Sequence, residues 1–219
     1  MTKALLVRHP APFATESFFG YILRLSEENG YTTPWSLFLL AEMAQHETRT
    51  TGIKVAKLAQ VANRSQAELE SLAYRWGTDS PRSCRLLGHL LGPHQLVVTR
   101  PKLCPECVAE KGFIEAHFDL ALMTGCAVHR KLLISCCPRC MKPLRWFRPG
   151  LLECRCGGNL LSAEVPPICL AEVDLLNIVG RKILGLAPAA EYASGLPSSH
   201  LQRLNLRSLL SLVAILWQA

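Results

Sequence analysis

Apolar residues recur at helical spacing along much of this chain. Phe18, Phe19, Ile22, Leu23 and Leu25 fall on one side over three turns, with Thr15 in an N-cap position and Asn29-Gly30 as a left-handed stop. A second run, Trp35, Leu37, Phe38, Leu39, Leu40, Ala41 and Met43, starts behind Pro34 at a first-turn position. After a polar turn at residues 49–52, Val55, Leu58, Ala59 and Val61 form another apolar face. Asn63 then stands where φ > 0 is wanted, and Ser65 caps a run bearing Leu69, Leu72 and Ala73. Two helices with a sharp turn between them, within residues 54–76, predict a helix-turn-helix. The second helix carries Glu68 and Glu70 against Arg75, which suits phosphates poorly, so a packing or protein-binding helical hairpin is the alternative.

Residues 78–81 break that pattern. Cys84, Leu86, Leu87, Leu90 and Leu91 predict a short helix up to Gly92-Pro93, and residues 96–99 a small strand. Partial alternation over residues 112–123 suits a strand running into an irregular return. Beyond Pro166-Pro167 the apolar spacing predicts a helix from Glu172 to Leu184, a flexible stretch over 187–199 and a last helix over 201–217. That last helix is too apolar to lie free. It must pack on the body, a copy of the chain or a partner, with intramolecular packing the default.

Residues 104–156 change the picture from a plain helical protein. Cys104/Cys107, Cys126/His129 and Cys137/Cys140 each enclose two residues, and Cys154/Cys156 enclose one. Such pairs sit on tight knuckles, and two of them complete a tetrahedron around zinc. Seven residues separate His129 from Cys137, too many for an interleaved cross-brace. The spacing therefore predicts sequential sites: Cys104, Cys107, Cys126 and His129 on one Zn2+, and Cys137, Cys140, Cys154 and Cys156 on another. Four strong donors close each site, so both ions are expected to be structural. Cys136 competes with Cys137 but loses the spacing to Cys140. Cys84 and Cys169 read as small buried apolar residues, and His117, without a partner at ligand spacing, as structural or surface.

The whole reads as mainly α with small zinc-bound β elements. A helical module with the helix-turn-helix spans residues 1–95, a tandem zinc-finger or zinc-ribbon module 96–162, and a helical C-terminal region 163–219. No His-Glu-x-x-His, phosphate-cradling loop or nucleophile elbow is present, so no enzyme is expected. The opening residues lack a secretory signal pattern, and the most apolar stretch, 209–217, is shorter than the roughly 20 residues of a membrane span. A soluble protein of a reducing bacterial cytoplasm, nucleoid-associated when bound to DNA, is the expectation.

The charge of +7 is unevenly spread. Residues 97–156 hold 10 Lys and Arg against 5 Asp and Glu, whereas residues 157–219 hold 4 of each. The basic excess on the cysteine-rich segment, through Arg130, Lys131, Arg139, Lys142, Arg145, Arg148 and Arg155, makes it a candidate surface for nucleic acid or a protein partner; solvation of the knuckles is the bland reading.

The order of these features resembles the TniQ/TnsD family of transposition target-selection proteins. The family's opening, Pro-x-Pro, Glu-Ser, Arg-Leu and Asn-Gly, stands here as Pro10-Ala11-Pro12, Glu16-Ser17, Arg24-Leu25 and Asn29-Gly30. Its central element stands as residues 103–107, Phe118, Cys126 to His129 with Leu132, and Cys137 to Cys140. Two positions depart: Phe118 where Trp is frequent, and Arg130 where Gly is frequent. The compact length is similar to the TniQ adaptors of CRISPR-associated transposons. The resemblance implies a non-enzymatic adaptor joining a target-recognition element, either a CRISPR effector complex with guide RNA or target DNA, to the transposon's AAA+ ATPase. A homodimer is left open. The alternative is a sequence-specific DNA-binding protein that selects the site directly through Arg64, Ser65, Gln66 and the helix they open.

Overall fold

The computed structural model describes residues 6–48, 53–77, 83–92, 94–189, 192–196 and 198–216. The turn expected at 49–52, the break at 78–81, Pro93 and the end of the last helix at Trp217 lie outside the described residues. Among these residues the architecture is mainly helical with two small sheets.

Helix α1 (Phe18–Glu28) is buried on nearly every side. Its N-cap is Ser17, not Thr15. Thr15 lies in a turn that the Glu16 amide closes on Phe13 O at 3.0 Å, and its carbonyl accepts the Ala116 amide at 2.8 Å while the Ser17 amide donates to Ile114 O at 2.7 Å. The chain ahead of α1 is thereby tied to a segment about 100 residues on. Gly20 allows this approach, since a Cβ there would stand 3.2 Å from Ile114 Cβ. Arg24 is buried in α1 because every arm has a partner: Nε and Nη2 fork onto Glu16, both at 2.8 Å, and Nη1 reaches Glu28 at 2.9 Å.

Helix α2 (Trp35–Leu40) is shorter than its apolar run, because Glu42 turns left-handed at φ 51°. Helices α3 (Val55–Ala62) and α4 (Gln66–Leu72) meet at Asn63, whose φ of 50° is the left-handed turn that an Asn tolerates. Ser65 and Glu68 form a reciprocal capping box at the start of α4. That helix stops at Leu72, short of the expected end at Trp76.

The helix expected over 84–91 is instead a hairpin. Strand β1 (Arg75–Trp76) pairs with β2 (Cys84–Leu86), and β2 with β3 (His89–Leu91), in register Cys84↔Leu91 and Leu86↔His89. Leu87 and Gly88 both have positive φ, 48° and 81°, the two-residue turn whose twist matches antiparallel strands. Four leucines at helix-compatible spacing hid the Leu-Gly turn that decides the matter.

Helix α5 (Pro105–Lys111) follows Cys104, and β4 (Gly125–Cys126) pairs with β5 (Lys131–Leu132). The strand expected over 112–123 is replaced by a 3-10 turn at Ala116–Asp119. Leu96 makes only a single bridge to Leu120, so the expected strand at 96–99 is not formed as such. The C-terminal region holds α6 (Leu170–Ile183), α7 (Ser198–Arg203) and α8 (Leu206–Leu216). The single helix expected over 201–217 is broken at Asn205, whose carboxamide accepts the Ser208 amide at 2.9 Å. Leu206, Leu209, Leu210 and Val213 are buried where α8 packs on β3 and α6. The expected flexible stretch is tied back in part, the Ser194 amide donating to Asp174 at 2.7 Å. Cys84 is buried, but Cys169, expected inside, is exposed at the N-cap of α6.

One contiguous apolar core runs from α1 through the cysteine-rich segment to α8. It encloses a polar knot. Asp119 accepts from Ser17 Oγ at 2.8 Å and Tyr74 Oη at 2.5 Å, and burial pushes its carboxyl up to about 6 despite those donors. Lys102, lowered to about 8 by burial, caps the carbonyls of Leu120, at 2.8 Å, and Met123, at 2.7 Å.

Candidate metal centres and the basic surface beside them

Four local turns deliver the donors. Cys104 is the N-cap of α5 and Cys107 lies in its first turn, with Pro105 presetting the helical φ between them. Cys126 and His129 sit on the tight connection between β4 and β5, closed by the Arg130 amide on Cys126 O at 2.8 Å. Cys137 and Cys140 occupy a matching knuckle closed by the Met141 amide on Cys137 O at 2.9 Å, and the Gly157 amide closes the last one on Cys154 O at 2.9 Å. In these three turns the residue after the second donor is left-handed: Arg130 at φ 55°, Met141 at 56° and Gly157 at 73°. A glycine carries no steric penalty in this conformation, because it lacks Cβ, whereas Arg130 and Met141 adopt it with a side chain.

The donor atoms converge as two sequential sets, Cys104, Cys107, Cys126 and His129, and Cys137, Cys140, Cys154 and Cys156, each within 4.8 Å of one another. In the first, His129 Nδ1 stands 3.3 Å from Cys104 Sγ and 3.2 Å from Cys107 Sγ, and Cys107 is 3.4 Å from Cys126. In the second, Cys137 and Cys156 are 3.7 Å apart and Cys140 and Cys154 4.0 Å. A tetrahedron with ~2.3 Å Zn–S bonds has S···S edges of ~3.8 Å, so both sets fit a zinc ion, and four soft or borderline donors leave no open position for a reacting water. The crowding separates the first set's thiols in acidity: Cys126, receiving hydrogen bonds from Cys104 and Cys107, is pushed down, while Cys107 is pushed up. A cation relieves this competition by holding every sulfur as a thiolate.

Carboxylates support the first set. Glu110 Oε1 lies 3.0 Å from His129 Nε2, fixing the ring so that Nδ1 faces the thiols. Glu106 approaches Cys104 Sγ at 3.3 Å and ion-pairs with Lys131. Neither glutamate stands out in the sequence, although Glu110 follows Cys107 by three residues, one helical turn along the same face of α5. In the second set Gly158 is boxed in: a Cβ would stand 3.0 Å from Cys137 Sγ, 3.2 Å from Cys156 Sγ and 2.9 Å from Arg139 Cβ. Cys136 is exposed and outside both sets, and His117, held against Phe118 at 4.4 Å between ring centroids, is likewise outside them.

The candidate contact residues divide sharply. Arg130, Arg139, Lys142, Arg145 and Arg155 are exposed, although Arg139 also donates to Cys156 O at 3.1 Å. Arg148 does not belong with them. It is 1% exposed and donates to the carbonyls of Gly150, Arg145 and Leu151 at 3.0, 2.7 and 3.1 Å, so it staples a loop from within. Burial lowers its guanidinium to about 10, which still leaves it charged at neutral pH. At the start of α4, Arg64 donates to His9 O, Ser65 is engaged in the capping box and Gln66 donates to Glu70 at 2.6 Å. All three thus have intramolecular partners. Among the described residues no helix is long and apolar enough to cross a membrane.

None of the curated proteins matches this chain. The model of one family, TniQ, matches residues 7–133, more than half of the chain, from the extended segment ahead of α1 through the first donor set and β5.

Proposed function

The chain belongs to the TniQ family, and from that premise we propose that it is a non-enzymatic transposition adaptor. One side meets a target-recognition element, a CRISPR effector complex or a DNA target site. The other meets the transposon's AAA+ ATPase, which passes the location to a recombinase carried by another protein. The observation that supports this reading most is the family match, which covers the helical N-terminal part and the first donor set together.

The chemistry of the site agrees with a docking role. The first donor set, three thiols and an imidazole, and the second, four thiols, would hold two structural Zn2+ ions, whose contribution is to fix four loops in place. A direct DNA reader is favoured less, because Arg64, Ser65 and Gln66 already have internal partners and Glu68 and Glu70 flank them.

Affinity purification of the tagged chain from cells expressing its genomic neighbours tests the reading. Recovery of the ATPase together with effector components or target DNA is expected. Recovery of neither, with nanomolar site-specific duplex binding by the chain alone at physiological salt, would replace the adaptor with the direct reader.

A further inference from the structure

A groove runs between the second donor set and the start of α2. Thr32, Thr33 and Trp35 line one side, and Arg145, Phe147 and Arg155 the other. Arg145 and Arg155 also line an adjoining hollow with Lys142 beside Cys140, Cys154 and Cys156. Among the described residues no carboxylate lines either one. Arg145, Arg155 and Lys142 are exposed, and among the described residues none of them is ion-paired.

The walls are held firmly. Arg148 donates from below to Arg145 O, and Glu27 of α1 accepts the Leu151 amide at 2.9 Å, so the loop carrying Arg145 and Phe147 is fastened at both ends. Trp35 and Phe147, both half-buried, stand with ring centroids 6.1 Å apart.

We propose that this groove binds single-stranded nucleic acid, with phosphates against Arg145, Arg155 and Lys142 and bases against Trp35 and Phe147. Unneutralised cations along one track call for a polyanion, and aromatic rings in the same track offer stacking to bases that a duplex keeps stacked internally. An acidic protein segment would answer the arginines but leave the rings unused. The inference deepens the adaptor reading by naming what its recognition side grips.

The test uses the full zinc-loaded chain and fluorescein-labelled oligo(U) and oligo(dT) of about 20 nucleotides, with a duplex of the same length for comparison, read by fluorescence anisotropy across a salt series. Binding of one or both single strands at least about tenfold tighter than the duplex is expected; preference between the two identifies RNA or DNA as the source. Arg145→Ala/Arg155→Ala, at exposed positions, should weaken single-strand binding at least about tenfold and reduce the salt slope by about 1.4. Trp35→Leu should weaken it about tenfold with the slope unchanged. Circular dichroism and zinc content check the fold, and the arginine pair carries the test if Trp35→Leu unfolds. Equal duplex affinity, unchanged binding by the arginine variant, or equal displacement by polyglutamate overturns the proposal. Those results leave the adaptor reading intact, because it is judged by recovery of the ATPase.

Discussion

At the scale of single residues, burial sets the chemistry. Asp119 is fully enclosed, and only two hydroxyls and the distant Lys102 ammonium offset the loss of water, so its carboxyl rises from 3.8 to about 6. The folded chain therefore holds that proton more tightly than the unfolded chain. The stability that this confers is complete below about pH 4 and is lost as pH rises through about 6, a difference on the order of 3 kcal/mol. Glu115 runs the other way. Burial alone would raise it, but His117 and Lys111 hold it down to about 2, so its contribution is present above pH 4.5 and lost on further acidification. Asp119→Asn keeps an acceptor for Ser17 and Tyr74 without the charge. Its stability relative to the parent chain should grow between about pH 4 and 7 by about 3 kcal/mol. Chemical denaturation at several pH values measures that difference, and a flat one would mean that Asp119 titrates normally.

At the scale of elements, short-range backbone geometry explains both what the sequence reveals and what it hides. Two-residue spacing between donors dictates a knuckle, and the left-handed residues Arg130 and Met141 show the same turn twice, while Gly157 closes a tighter one after the one-residue spacing of Cys154 and Cys156. Hence the two donor sets are legible in the spacing alone, and the structure brings the same eight residues together. The 84–91 segment misled for an equally local reason: Leu87 takes φ 48°, a conformation that leucine rarely adopts, and thereby turns a helix-like pattern into a hairpin. Gly158 gives the element-scale prediction. Gly158→Ala would drive a Cβ against two sulfurs of the second set and against Arg139 Cβ. The purified variant should carry about one zinc per chain where the parent carries about two, with the first set still loaded. Metal analysis decides it, and two retained ions would mean that the last knuckle yields easily.

At the scale of the whole molecule, the donor sets are part of the core. Cys104, Cys107, Cys126, Cys137 and Cys154 are buried in the same apolar cluster as α1 and α8. The N-terminal helices are joined to this region by the Ser17–Ile114 and Thr15–Ala116 backbone pairs and by Glu27 on Leu151. Removing metal should accordingly loosen more than the knuckles. A strong chelator is expected to lower the melting midpoint by at least ~10 °C and to raise amide exchange at Ser17 and Ala116 as well as around the cysteines. Exchange confined to residues 104–156 would show that the helical part stands independently.

The sequence by itself determined the features carried by near neighbours: the amphipathic helices, the Asn63 turn with its Ser65 cap, the pairing of donors into two sets, and the family resemblance that the match over residues 7–133 bears out. These depend on φ and ψ preferences and on spacings of a few residues, all of which can be read along the chain. Only the tertiary structure decided that Arg148 faces inward while Arg145 and Arg155 face out, that Cys169 lies at the surface, and that Trp35 shares a groove with Phe147. Those outcomes depend on partners far away in sequence, such as Glu27 for the 145–151 loop, 124 residues from the amide that it accepts. A charged side chain is buried or exposed according to whether such distant partners replace its water, and no local pattern records that.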